Sequence, residues 1–191
     1  MSKVAIFASG AGSNADRILH FLNEKQSSVK VALIVTNKKE AGIYQVAENH
    51  QLPIFYFSNQ DFLEATPVLQ FLQEQKIEWI VLAGFLRKIE LPIVSAFENK
   101  IFNIHPSLLP KYGGKGMYGK KVHEAVIANG DRESGISIHL VNSEFDKGEI
   151  ILQAKCIVEK GQTVEELVEN IQKLEHEFFP KTLVQYINEI K

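Results

Sequence analysis

Two polar residues, Asn103 and His105, close the apolar run Ile101-Phe102-Asn103-Ile104-His105, and a proline-bounded turn follows, Pro106-Ser107-Leu108-Leu109-Pro110. Ile101, Phe102 and Ile104 read as a short buried strand. Side chains alternate along a strand, so Asn103 and His105 share one face and Ile104 takes the other. An amide beside an imidazole at a strand mouth suits chemistry at a carbonyl. The amide can donate to a developing oxyanion, and the imidazole can carry a proton or a charge. Pro106 keeps His105 extended and so limits where the ring points. The same pair also reads as a plain polar closure of a strand end.

A second constellation lies near the start. Val4 to Ala8 is an apolar strand, Ser9-Gly10-Ala11-Gly12-Ser13-Asn14 turns, and a helix follows from about Ser13 to Lys25 with Ile18, Leu19 and Leu22 as its stripe. Backbone N–H groups at such a helix start meet anions. Gly10 and Gly12 allow close approach, and Ser13 and Asn14 add donors or caps. The third glycine of the dinucleotide fingerprint is missing, so a phosphate monoester fits better than a dinucleotide. A tight turn with a good cap is the plain alternative. Asp146, in a loop between two strands, is the carboxylate that can raise the pKa of His105 by favouring its charged form. Nothing local places the two together. No serine or cysteine sits in a nucleophile context such as G-x-S-x-G, so direct transfer between two bound substrates fits better than a covalent acyl-enzyme.

Composition bounds the class. The chain has 191 residues, 45% hydrophobic and 23% charged, with a net charge of −2. That balance argues against bulk-charge binding of nucleic acid. One cysteine, Cys156, excludes an internal disulfide and a cysteine-based zinc site. It reads as a small buried core residue. The six histidines are scattered without ligand spacing, so no metal is expected. No early run suits a leader, and none approaches the ~20 apolar residues of a membrane span. A cytoplasmic protein without membrane attachment is expected.

The elements that must position these residues alternate. Strands are expected over Val29–Val35, Pro53–Phe57 and Trp79–Ala83, with helices over Glu40–Asn49 and Thr66–Lys76, the latter with one turn possible from Asp61. Pro92–Phe97 and His123–Asn129 are short helices. Gly135–Val141 and Glu149–Val158 form an antiparallel pair around the Asp146 loop. A last helix starts at Thr163 with capping-box spacing to Glu166, and Pro180 can kink it. The fold class is α/β, a Rossmann-like, mainly parallel sheet of about seven strands with helices on both faces and an antiparallel C-terminal pair, in one domain over 1–191. The Asn14 turn, the Gly84–Ile89 loop and the His105 turn all leave carboxyl ends of strands, where open sheets bind ligands. Phe85, Leu86 and Ile89 can line a pocket for a flat ligand, or simply pack over the sheet. Lys111 to Lys121 holds four glycines and four lysines and reads as a loop, either closing over a ligand or solvated.

The runs Ser9–Asn14, Val81–Arg87, Asn103–Pro110, Asp146-Lys147-Gly148 with Ile150–Gln153, and Glu175-His176 together resemble the folate-dependent phosphoribosylglycinamide formyltransferases, over nearly the whole chain. The Asn-x-His-Pro-Ser-Leu-Leu-Pro run is shared by formyltetrahydrofolate enzymes as a group, and Ser-Gly-x-Gly-Ser-Asn narrows it. The resemblance implies the formyltransferase fold and formyl transfer from 10-formyltetrahydrofolate, as co-substrate, to the amine of 5′-phosphoribosylglycinamide in purine synthesis. It implies Asn103, His105 and Asp146 as catalytic, with His105 protonated and Asp146 holding that charge. It assigns the ribonucleotide phosphate to Gly12, Ser13 and Asn14, with Ala15 and Asp16 at the same helix start. Glu175 and Gln172 would hold the ribose or glycinamide. Leu86, Arg87, Lys88, Ile89 and Asn103 would hold the folate. Partners are small molecules, with no nucleic acid or membrane, and the chain is expected as a monomer or weak homodimer.

Three features depart from the family. The 111–121 loop is long and glycine-rich, no arginine lies in Asp61 to Pro67, and Lys88-Ile89-Glu90 is more charged than the usual run. The alternatives are a formyltetrahydrofolate hydrolase, which shares the site but usually carries an N-terminal regulatory domain, and a non-catalytic folate or phosphometabolite module. A methionyl-tRNA formyltransferase would need a further RNA-binding domain after Lys191.

Overall fold

Val4, Ala5, Ile6 and Phe7 are all fully buried because their strand is covered on both sides, as a strand in a parallel sheet requires. The computed structural model describes residues 1–190; Lys191, the last residue of the expected domain, lies outside the described residues. The elements run β1 (Ser2–Phe7), α1 (Ser13–Glu24), β2 (Val29–Thr36), α2 (Ile43–Asn49), β3 (Ile54–Tyr56), α3 (Asn59–Glu64) and α4 (Thr66–Glu74). Then come β4 (Trp79–Leu82), α5 (Leu91–Ala96), β5 (Ile101–His105), α6 (Lys120–Ala128), β6 (Glu133–Leu140), β7 (Ile150–Ile157) and α7 (Val164–Glu189).

The seven strands form one sheet in the order β3-β2-β1-β4-β5-β6-β7. The first five are parallel, while β6 runs antiparallel to both β5 and β7. Period-2 alternation splits the core. Val4, Ile6, Trp79 and Val81 face α1, α2 and α7, whereas Ala5, Phe7, Ile80 and Leu82 face α3, α4 and α5. The strand order reverses between β1 and β4, which makes the crevice at their carboxyl ends the topological switch point.

The structure corrects three sequence readings of the scaffold. The helix expected from Thr66, with a possible early turn, is two helices. Ser58 caps α3 in a reciprocal box with Asp61, and Ala65 at φ 62 breaks the chain before Thr66-Pro67 starts α4. The helix after the glycine-rich loop begins at Lys120, three residues earlier than His123. Cys156 is half-buried rather than buried, because β7 is the sheet edge and only its inner face meets the core. Burial still pushes its thiol pKa up, which disfavours a nucleophilic thiolate. The last helix does start at a capping box, with Thr163 accepting from the Glu166 N–H.

Candidate active site

His105 ends β5, and its position is set by a turn bolted to the neighbouring strands. The Ser137 hydroxyl of β6 donates to the Ser107 carbonyl at 2.7 Å and accepts from the Leu109 N–H at 2.9 Å. Gln153 of β7 donates to the Leu109 carbonyl at 3.0 Å and to Ser137 at 2.8 Å. These bonds satisfy buried polar groups and hold the Pro106–Pro110 turn to the sheet.

The His105 ring lies between two acceptors. Nε2 is 2.7 Å from the Tyr112 carbonyl, and Nδ1 is 3.6 Å from Asp146 Oδ2. A carbonyl can only accept, so Nε2 carries the proton, and Nδ1 is the free lone pair of the neutral ring. Tyr112 is itself anchored: its hydroxyl donates to Asp131 at 3.0 Å and accepts from Asn129 at 2.7 Å. Asp146 accepts from the Gly114 N–H at 2.8 Å, and its side chain is only 12% exposed. The glycine-rich loop thus reaches both His105 and Asp146. Tyr112 and Asp146 both hold left-handed backbone, at φ 56 and 53, a conformation that clusters where function demands it.

His139 of β6 completes the group. β6 pairs with β5 so that His139 lies opposite Asn103. The His139 Nδ1 donates to the Leu140 carbonyl at 2.8 Å, which leaves Nε2 to accept from the Asn103 amide at 3.1 Å. That bond orients the amide and leaves its second N–H free. The Asp146 Oδ1 stands 3.6 Å from the same His139 nitrogen. The sequence reading missed His139. The signal was its alternation with Ser137 and Val141, but the strand was paired only with β7, so its closeness to Asn103 was not drawn.

The electrostatics differ from expectation in one respect. Burial pulls the His105 imidazole below its ordinary range, and the Asp146 charge and the Tyr112 bond only partly oppose this. The expectation that Asp146 would leave His105 charged at rest is therefore corrected: desolvation of the ring outweighs the ion pair. For Asp146, burial raises the pKa, but the nearby His139 ring, the Gly114 N–H bond and the His105 ring carry it below the usual carboxylate range. The resting site is a carboxylate beside a neutral histidine. An NMR titration of the free protein should place His105 below about 6.5, the ordinary histidine value. Removing the Asp146 charge should lower it further. A midpoint above that value would show a resting imidazolium instead.

Asn103, His105, His139 and Asp146 line one cavity of about 270 Å³. Asn14 and Glu175 line it as well, joined by a 2.9 Å bond from the Asn14 amide to the Glu175 carboxylate that ties α1 to α7. Burial pushes the Glu175 pKa up, and the Asn14 bond opposes it. Leu86, Arg87, Lys88 and Ile89 form another wall, with Phe145 at the rim and the Lys88 ammonium 5.9 Å above its ring. The Ser9 hydroxyl positions this wall by accepting the Leu86 N–H at 3.1 Å and donating to Asn37 at 2.7 Å. The Arg87 Nε is buried without a partner.

Gly12, Ser13, Ala15 and Asp16 do not line the cavity itself, and neither does Gln172. Gly12, at φ 85, caps α1. The N–H groups of Ser13, Asn14 and Ala15 are the orphan donors of the first helical turn. Asp16 offers no such donor, since its N–H goes to the Gly12 carbonyl at 2.8 Å and its carboxylate to His50.

A doubly wound α/β sheet with an amide, an imidazole and a carboxylate at its switch point defines a protein equipped for chemistry at a carbonyl carbon. The chain belongs to the formyl transferase family, whose model matches residues 2–183. It is 38% identical over 182 residues to a chloroplastic phosphoribosylglycinamide formyltransferase of Arabidopsis thaliana, covering 93% of this chain and 62% of that protein. It is 34% identical over 191 residues to the phosphoribosylglycinamide formyltransferase of Bacillus subtilis, covering 98% and 95%. A crystal structure of the enzyme of that name from Bacillus halodurans superposes with a TM-score of 0.91 at 34% identity, covering 100% of this chain and 97% of that one. Among the described residues no helix is long and apolar enough to cross a membrane.

Proposed function

We propose that the chain transfers the formyl group of 10-formyltetrahydrofolate to the amine of 5′-phosphoribosylglycinamide, giving formylglycinamide ribonucleotide and tetrahydrofolate. The observation that carries this reading is the convergence of Asn103, His105 and Asp146 on the cavity that also holds the Asn14–Glu175 pair. The relatives' shared name supplies the acceptor and the group transferred. The ribonucleotide phosphate binds the helix-start N–H groups at Gly12, Ser13, Asn14 and Ala15, with Asp16 at the edge of that turn. Glu175 and Gln172 hold the sugar or glycinamide, and the pteridine lies along Leu86, Arg87, Lys88 and Ile89. The chain works as one cytoplasmic domain, a monomer or weak homodimer.

The substrate amine attacks the formyl carbon, and the carbonyl electrons move to oxygen. The free N–H of Asn103 donates to that oxyanion. The amine proton passes, directly or through water, to His105 Nδ1, and Asp146 stabilises the imidazolium so formed. The oxyanion electrons then re-form the carbonyl as the carbon–N10 bond breaks, and His105 gives its proton, directly or through water, to the folate nitrogen and returns to neutral. His105 therefore becomes charged during turnover rather than before it.

The test is folate absorbance with and without the ribonucleotide. Formyl loss that requires the ribonucleotide supports the transferase, and formyl loss without it supports a hydrolase. A second expectation concerns the phosphate turn. A Cβ at Gly12 would lie 2.6 Å from Ile43 Cδ1 and 3.2 Å from Val46 Cγ2, on left-handed backbone. Gly12→Ala should lose about 1–3 kcal/mol of stability in urea. It should also raise KM for the ribonucleotide more than for the folate. Equal effects on the two substrates would place the phosphate elsewhere.

A further inference from the structure

On the side of α1 away from the cavity, Asp16, His20 and the α2 cap residue His50 bring their ligand atoms within 4.8 Å of one another. Two imidazoles converge on one carboxylate oxygen. Asp16 Oδ1 is 2.7 Å from His50 Nε2 and 3.6 Å from His20 Nε2. The two rings meet edge to face at 4.8 Å. Asp16 and His20 are spaced i,i+4, the helical spacing that sets two ligands on one face. The third comes from the neighbouring helix, which packs over Gly12 through Ile43 and Val46. That spacing is a departure from the sequence reading, which found no ligand pattern because the third residue is remote.

We propose that Asp16, His20 and His50 form a site for a divalent transition metal of the Zn²⁺ type, joining α1 to the end of α2 beside the helix start. Two imidazoles and one carboxylate are a donor set suited to zinc, copper or nickel rather than magnesium or calcium. Ligand atoms around a tetrahedral zinc lie about 3.3 Å apart. The His20–Asp16 separation already matches, and His50 needs to withdraw by a little over half an ångström. His50 is nearly buried at 9% exposure, while His20 and Asp16, at 56% and 41%, leave an open side for water as fourth ligand. The proposal shares Asp16 with the edge of the phosphate turn but involves none of the reacting groups of formyl transfer.

The test uses the tag-free chain, titrated calorimetrically with Zn²⁺ at neutral pH and followed in parallel by thermal unfolding. One ion per chain is expected, with a rise in melting temperature because the metal binds only the folded arrangement. Mg²⁺ should produce neither effect. His20→Ala and His50→Ala should each weaken Zn²⁺ by at least about tenfold. His20 is exposed, so its variant should melt like the parent in EDTA, and it keeps the test sound if His50→Ala folds poorly. Unchanged affinity in His20→Ala, binding that survives the double variant, or no saturable binding at all would overturn the proposal. The cluster would then be a hydrogen-bonded contact only.

Discussion

Asp146→Asn should bind both substrates with near-normal affinity and turn over on the order of 10³-fold more slowly, within the range of a positioned proton-transfer group. The amide keeps the size of the side chain. What it removes is the charge 3.6 Å from His105 Nδ1 in a site where both side chains are nearly buried. At an effective dielectric of 20, a charge pair at that distance is worth about 4–5 kcal/mol. Burial alone already drives the imidazole toward the neutral form. Without Asp146 only the Tyr112 bond offsets that, and the proton leaving the amine has no charged partner waiting beside Nδ1. Equilibrium binding of each substrate, set beside kcat, checks the split. A loss below tenfold in kcat would mean that the proton leaves by another route. A matching loss of affinity would mean that Asp146 holds substrate instead.

Asn103→Ala should lower kcat by about 10²–10³ with little change in KM, as expected when one oxyanion donor is removed. The effect follows from geometry. One amide hydrogen is spent on His139 Nε2 at 3.1 Å, which aims the group, and the other is left for the substrate oxygen. Steady-state kinetics on the purified variant measure this. Asn103→Asp should be at least as damaging, because it sets a negative charge where one develops. A variant whose kcat is normal and whose KM for folate is raised would move Asn103 from transition-state stabilisation to ground-state binding.

The parts of the site legible from sequence were those written in short-range patterns. The apolar run ended by Asn103 and His105, the glycine turn before α1 and the Thr163–Glu166 box are local, and the structure has the corresponding strand, turn and helix. The α/β class followed from alternating periods, and the switch point from strand ends. What escaped depends on contacts between distant segments. His139 meets Asn103 only because β6 inserts antiparallel beside β5. Tyr112 and Gly114 reach His105 and Asp146 through a loop whose path composition does not encode. The direction of the His105 shift turns on burial, a property of the finished fold. The separate α3 was readable in principle from Ser58 and Asp61, but the stronger Thr66-Pro67 start obscured it. Asp146 pairs with His105 from sequence only as a chemical match, to which the family resemblance adds, since no spacing rule joins residues 105 and 146.

The most direct test of the mechanism is a single turnover with protein in excess over 10-formyltetrahydrofolate carrying an isotopically labelled formyl group, quenched in acid at intervals. Direct transfer predicts label passing from folate to the ribonucleotide, with none on protein at any time and none released as formate. Label on the protein at early times would contradict the account by revealing a covalent acyl-enzyme. Label in formate would contradict it by showing hydrolysis.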